Sequence, residues 1–216
     1  MKTMTRAMSS GTYLVANKNS SAEASESYRT LRTNIRFSSM GRSSKVLLVT
    51  SAGNQEGKTT TATNLAVSYS QENKKVLLID ADLRNPSLQK VFPRSNKRGL
   101  TDVLSGQCGL EAAVSTTAIP NLSVLTAGTI PPNPSEILGS DQMQELLKEV
   151  AGYYDVILLD SPAALVVSDA QILGTLSDGV VLVAHQGKVT KEELKKVKRG
   201  MDHVNAHILG VVLNKA

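Results

Sequence analysis

Three clusters of residues in this chain have the types and spacing for phosphate chemistry. The first is the run Gly53, Asn54, Gln55, Glu56, Gly57, Lys58, Thr59, Thr60. Backbone N–H groups in such a loop wrap phosphate oxygens, and a following helix offers its positive end. Lys58 is suited to neutralise β/γ-phosphate charge and the Thr59 hydroxyl to hold magnesium. The second cluster is Asp80, Asp82 and Arg84. Carboxylates two residues apart on an extended segment point the same way, an arrangement suited to metal and proton chemistry. The third is Asp160, which closes the apolar run 156–159. A carboxylate in that position after a phosphate loop orients magnesium, often through water.

These clusters need rigid supports, and the sequence supplies them. Val46-Leu47-Leu48-Val49 reads as a buried strand, and the residues after Thr60 read as a helix to about Gln71. Strand, loop, Gly-Lys-Thr, helix is the context a phosphate loop requires, although Ala52 stands where the usual pattern has its first glycine. Val76–Ile79, Asn121–Leu125, Asp155–Leu159, Val180–Val183 and His207–Leu213 read as further strands. Asn214, at the end of the last, is within reach of a nucleotide base. Gly99–Leu104 reads as a short helix and Gly128–Pro134 as a rigid loop. Ser135 is expected to cap a short helix. A longer one from about Asp141 turns Met143, Leu146, Leu147 and Val150 to the core. Ser168-Asp169 are expected to cap a helix. A basic helix over 190–203 has Glu192 placed to support Lys196. Strands alternating with helices predict an α/β fold: a mostly parallel central sheet with helices on both faces, a three-layer sandwich. Residues 1–22 read as a flexible tail and 23–216 as a single domain.

Composition narrows the function classes. Aromatic residues make up 3% of the 216 and hydrophobic residues 41%. The core is therefore aliphatic, and no stacking platform for nucleic acid is expected. One cysteine, Cys108, excludes an internal disulfide framework and fits a reducing compartment. No apolar run approaches the roughly 18 residues of a membrane span. The three histidines lack a ligand constellation. Net charge +5 permits acidic partners or an anionic membrane surface. Residues 23–38 read as a helix whose Glu26, Arg29 and Arg32 recur at i, i+3, i+6, by themselves a solvated charged face.

Four motifs stand in order: VTSAGNQEGKTTTATNLA, VLLIDADLRNP, GTIPPNPSEIL and VILLDSP. Together they resemble the bacterial protein-tyrosine kinases of capsule and exopolysaccharide systems, in the P-loop ATPase superfamily. The strand ending in Asp-x-Asp-x-Arg is the most specific of them. The resemblance implies an ATP- and Mg2+-dependent kinase that autophosphorylates. Residues 53–60 and Asn214 would bind the nucleotide, and Thr59, Asp82 and Asp160 the metal. Lys58 and Arg84 would act beside Asp80, the candidate base for an incoming tyrosine hydroxyl. It also implies that Glu26, Arg29 and Arg32 belong to an oligomer interface that builds rings. The partners implied are a membrane-embedded activator and protein tyrosine substrates, not nucleic acid. The expected location is cytoplasmic, peripheral to the inner membrane face through that partner.

Two departures from the family pattern stand out. Asn54-Gln55 replaces the usual Pro-Gly, and no tyrosine follows Tyr154 where the family has a tyrosine-rich tail. The acceptors are then expected beyond this stretch or elsewhere in the chain. Two other readings share the fold. A partition- or division-type switch ATPase would carry a signature lysine where this chain has Gly53. A nucleotide-gated, ring-forming regulator would need little catalysis.

Overall fold

The computed structural model describes residues 22–39, 44–92 and 95–214. The expected tail therefore lies outside the described residues except for Ala22, which opens α1 (Ala22–Ser38). In chain order there follow β1 (Val46–Ser51), α2 (Lys58–Ser70), β2 (Val76–Asp80), α3 (Leu88–Val91), α4 (Leu100–Leu104), α5 (Leu110–Ala113), β3 (Ser115–Thr116) and β4 (Leu122–Leu125). The remainder are α6 (Pro134–Leu138), α7 (Asp141–Val150), β5 (Val156–Asp160), α8 (Asp169–Thr175), β6 (Gly179–His185), α9 (Lys191–His203) and β7 (Ile208–Asn214).

The seven strands form one sheet in the order β3-β4-β2-β5-β1-β6-β7. Every pairing is parallel except β3–β4. The central strands read as unbroken apolar runs because both of their faces are covered. Alternate residues separate onto the two faces. Leu48, Leu77, Ile79, Ile157, Leu159 and Leu182 join one core layer with α7, α8 and α9. Leu47, Val49, Leu78, Leu158 and Val183 join the other, against Ala62, Leu65 and Ala66 of α2 and Ile35 of α1.

The expected mostly parallel sheet and its covering helices are present. Several local readings change. Asn121 is not in a strand: its φ of 64° makes a turn, its carbonyl accepts from Val76 N at 2.8 Å, and β4 starts one residue later. Ser135 does not cap α6. Asn133 holds the cap position and Pro134 opens the helix, the favoured place for a residue without an N–H. On α9 the ion pair is Lys198–Asp202 at 2.5 Å rather than Glu192–Lys196, and a Thr190–Glu193 capping box starts the helix. The Gly128–Pro134 loop is pinned by Asp102, which accepts from Gly99 N at 2.8 Å and Thr129 Oγ1 at 3.0 Å. Gly128 has φ 83°, and a Cβ there would stand 2.2 Å from the Asp102 carboxylate. Only glycine fits that position.

Candidate active site

The loop after β1 sits between the carboxyl ends of β5 and β6, the neighbours of β1 in the sheet. Ligands of open parallel sheets bind at that end. Gly57 caps α2 with φ 98°, so Lys58 and Thr59 occupy the first turn and the positive helix end faces the loop. Gln55 also adopts a left-handed conformation, φ 59°, where the resemblance has glycine.

Side chains from distant parts of the chain brace the loop. Ser51 Oγ donates to Gly53 O at 2.6 Å, and Lys188 Nζ donates to Asn54 O at 2.8 Å. Glu56 is buried and accepts from Gly53 N. Burial pushes its carboxyl above the usual range, against the opposing pull of that N–H. Asn214 Nδ2 donates to Glu56 O at 2.8 Å. A Cβ on Gly57 would lie 2.0 Å from the same Asn214 nitrogen, so this contact requires the glycine. Thr60 follows in α2, and its carbonyl accepts from Asn64 Nδ2 at 2.9 Å.

Asp80 and Asp160 end adjacent strands in direct register, so their side chains leave the pleat on the same side. Both are fully buried. Asp80 Oδ2 accepts from Ser87 N at 2.8 Å and Leu88 N at 2.9 Å, while Oδ1 accepts only a long bond of 3.3 Å from Asp82 N. Burial raises the Asp80 carboxyl to about 6 despite those donors, with the Asp82 charge adding to the rise. Asp160 Oδ2 accepts from Thr59 Oγ1 at 2.6 Å, and its Oδ1 has no hydrogen-bond partner. Burial first, then the Asp80 charge, holds Asp160 well above the usual carboxylate range. Asp82 is raised as well, by burial, with Lys58 pulling the other way.

Two like charges side by side and an orphaned buried oxygen are costly in the absence of a cation. The donors present fit magnesium: one hydroxyl, Thr59, and the carboxylates of Asp82 and Asp160. Among the described residues no three His, Cys, Asp or Glu side chains form a self-contained metal cage. Magnesium needs none, because it keeps waters and shares phosphate oxygens.

Arg84 points elsewhere. Its Nε and Nη2 donate to Asp169 Oδ2 and Oδ1 at 2.9 and 3.0 Å, and Nη2 also reaches Ser135 Oγ at 3.0 Å. Ser135 in turn donates to Asp169 Oδ1 at 2.6 Å. Asp169, read from sequence as a cap, is thus a fully buried ion-pair partner that ties the Asp82–Asn85 turn to α6 and α8. Sequence reasoning also missed Ser87, whose hydroxyl lies 3.1 Å from Thr59 Oγ1, and Lys188. No local pattern marks these residues.

On α1, Glu26 and Arg29 form an exposed pair at 3.0 Å. Arg32 instead turns toward α2. It donates to Ser68 O and pairs with Glu72 at 2.5 Å, with 12% of its side chain exposed. Six residues at about 100° each leave it a third of a turn from Glu26, so the three do not form one outward row.

A family model described as an AAA domain matches residues 44–209. The chain is 48% identical over 190 residues to the tyrosine-protein kinase YwqD of Bacillus subtilis, covering 88% of this chain and 80% of that one. The chain belongs to the bacterial tyrosine-protein kinases. Among solved structures, the chimerical protein CapA2B2 superposes with a TM-score of 0.90 at 34% identity, covering 94% of this chain and 89% of that chain. The kinase domain of the Escherichia coli tyrosine kinase ETK gives 0.89 at 34% identity, covering 98% and 84%. Membership of this kinase family accounts for the phosphate loop, the Asp-x-Asp-x-Arg turn and the P-loop sheet order occurring together. Among the described residues no helix is long and apolar enough to cross a membrane.

Proposed function

We propose that the protein is an ATP- and Mg2+-dependent protein-tyrosine kinase that autophosphorylates and regulates capsular or exopolysaccharide synthesis and export. The observation that carries the reading is the in-register pair Asp80–Asp160, buried beside Thr59 with one oxygen unsatisfied. Residues 53–60 hold the nucleotide phosphates, with Lys58 offsetting their charge. Thr59, Asp82 and Asp160 would hold the metal ion, which would supply charge neutralisation at the transferring phosphoryl group. Asp80 accepts the tyrosine proton. Its carboxyl, raised to about 6, is closer in strength to the phenol it serves than an ordinary aspartate. Arg84 acts through Asp169 and Ser135, fixing the turn that carries Asp82. Asn214 acts on the loop backbone through Glu56 O. The enzyme is cytoplasmic and reaches the inner membrane face through a membrane-embedded activator. Its substrates are protein tyrosines.

Labelled ATP and magnesium, with and without a tyrosine-rich peptide, test the reading against Lys58→Ala. Label on tyrosine that disappears in the variant is expected. Free phosphate without protein label would instead identify a switch ATPase. A nucleotide-dependent change in size without turnover would identify a ring-forming regulator. The exposed Glu26–Arg29 pair is the ring contact, and Arg32 supports it by fixing α1 on α2. Arg29→Ala is expected to reduce assembly mass in light scattering with unchanged melting; unchanged mass would remove α1 from the interface.

A further inference from the structure

The chain has five tyrosines, of which Tyr13 lies outside the described residues. The other four differ sharply in access. Burial raises the Tyr28 hydroxyl, which bonds Asn64 and Thr61 side chains. Burial pushes Tyr69 up to about 12. Tyr154 is half-buried and packs on the apolar core. Tyr153 is 68% exposed, at the tip of the turn between α7 and β5, directly after Gly152.

We propose that Tyr153 is a phosphoacceptor of this kinase, modified by the site of a second copy of the chain, while the adjacent Tyr154 is spared. The inference rests on the kinase reading above. Strand β5 runs from Val156 to Asp160, so Tyr153 sits at the opposite end of the sheet from the phosphate loop. The four steps of β5 at about 3.3 Å each separate its two ends by about 13 Å, and Tyr153 lies in the turn beyond the far end. A folded copy cannot bring Tyr153 to its own site, whereas the protruding turn can enter another. The bond from the γ-phosphorus to the β,γ-bridging oxygen breaks and a bond to Tyr153 Oη forms. The phenolic proton passes to the acceptor carboxylate and on to solvent, and ADP leaves. The product carries close to two negative charges. Lys75 lines the same cavity of about 370 Å³ as Tyr153 and offers the cation that pairs with it.

The test is site-resolved phosphopeptide mapping of the full chain after incubation with ATP and magnesium, with a tyrosine-rich peptide present as a reference substrate. Phosphate on Tyr153 and not Tyr154 is expected. The rate per molecule should rise with protein concentration, and active copies should label Lys58→Ala chains at Tyr153. Tyr153→Phe should lose that label, keep its melting temperature and still phosphorylate the reference peptide. Labelled reference peptide with Tyr153 unmodified, or label confined to Tyr13 or Tyr154, overturns the proposal alone. A concentration-independent rate overturns the second-copy route. An unlabelled reference peptide overturns the kinase reading and this proposal with it.

Discussion

Two aspartates with the same burial, Asp160 and Asp169, are both 0% exposed yet stand in opposite electrostatic states. Asp169 meets a two-point guanidinium and a serine hydroxyl. Burial alone would raise it, but the Arg84 and Ser135 bonds prevail and hold it below the usual range. Asp160 meets one threonine hydroxyl and a neighbouring carboxylate, and one of its oxygens meets nothing. Burial by itself therefore does not identify a working acid. The state of its partners does. Asp169 is complete within the chain, whereas Asp160 keeps an oxygen that the chain leaves without a partner.

The sharpest way to break the comparison is to neutralise each aspartate in turn. Asp160→Asn is expected to lower peptide phosphorylation by about 100-fold or more, because a ligand for the neutralising cation is lost. Without nucleotide the same variant should unfold at higher denaturant, gaining on the order of 1 kcal/mol as a raised buried charge disappears. Asp169→Asn should do the reverse, losing about 2 kcal/mol of stability. That figure is kept low because Arg84 is 37% exposed. If both variants shift stability in the same direction, the contrast fails.

Acidity separates the regions without mutation. Asp80 has a folded value near 6 against an unfolded 3.8. Its contribution to stability is therefore fully present below 3.8 and is lost as pH rises through about 6. Asp169 is lowered on folding. Its contribution is present above 3.8 and is lost as pH falls through its folded value. Denaturant unfolding in the absence of nucleotide should show stability rising by about 3 kcal/mol from Asp80 as pH drops from about 6 toward 3.8, then falling in stronger acid. Asp80→Asn should make the first limb shallower, with Asp160 and Asp82 keeping their share of it, and leave the second. The smallest effect concerns the loop between β1 and α2. Gln55 at φ 59° costs about 1 kcal/mol, and glycine would relieve it while adding a similar entropy cost to the unfolded chain. Gln55→Gly should change stability by about 0.5 kcal/mol or less, measured in the same titration.

Much of this contrast was legible in sequence on one side only. Asp160 closes an apolar run after a phosphate loop, so strand and facing follow from local pattern. The partner of Asp169 is Arg84, 85 positions away, and no periodicity links them. The same limit hid Ser87 and Lys188. Short elements were missed for another reason. The two residues of β3 and the four each of α3 and α5 span only about one hydrophobic period, too little for a pattern to repeat, so tertiary contacts decide them. Arg32 shows a third limit, since residue spacing fixes an angle around the helix and not which neighbour waits there.

The bond from Asn214 to Glu56 spans 158 positions of sequence. A nascent chain that has already left the ribosome through β6 still lacks the amide that buttresses the nucleotide cradle. Ligand-binding competence is thus acquired late in translation, only once β7 has emerged and docked. A stalled ribosome complex truncated before residue 208 should release nucleotide faster than one extended past Asn214.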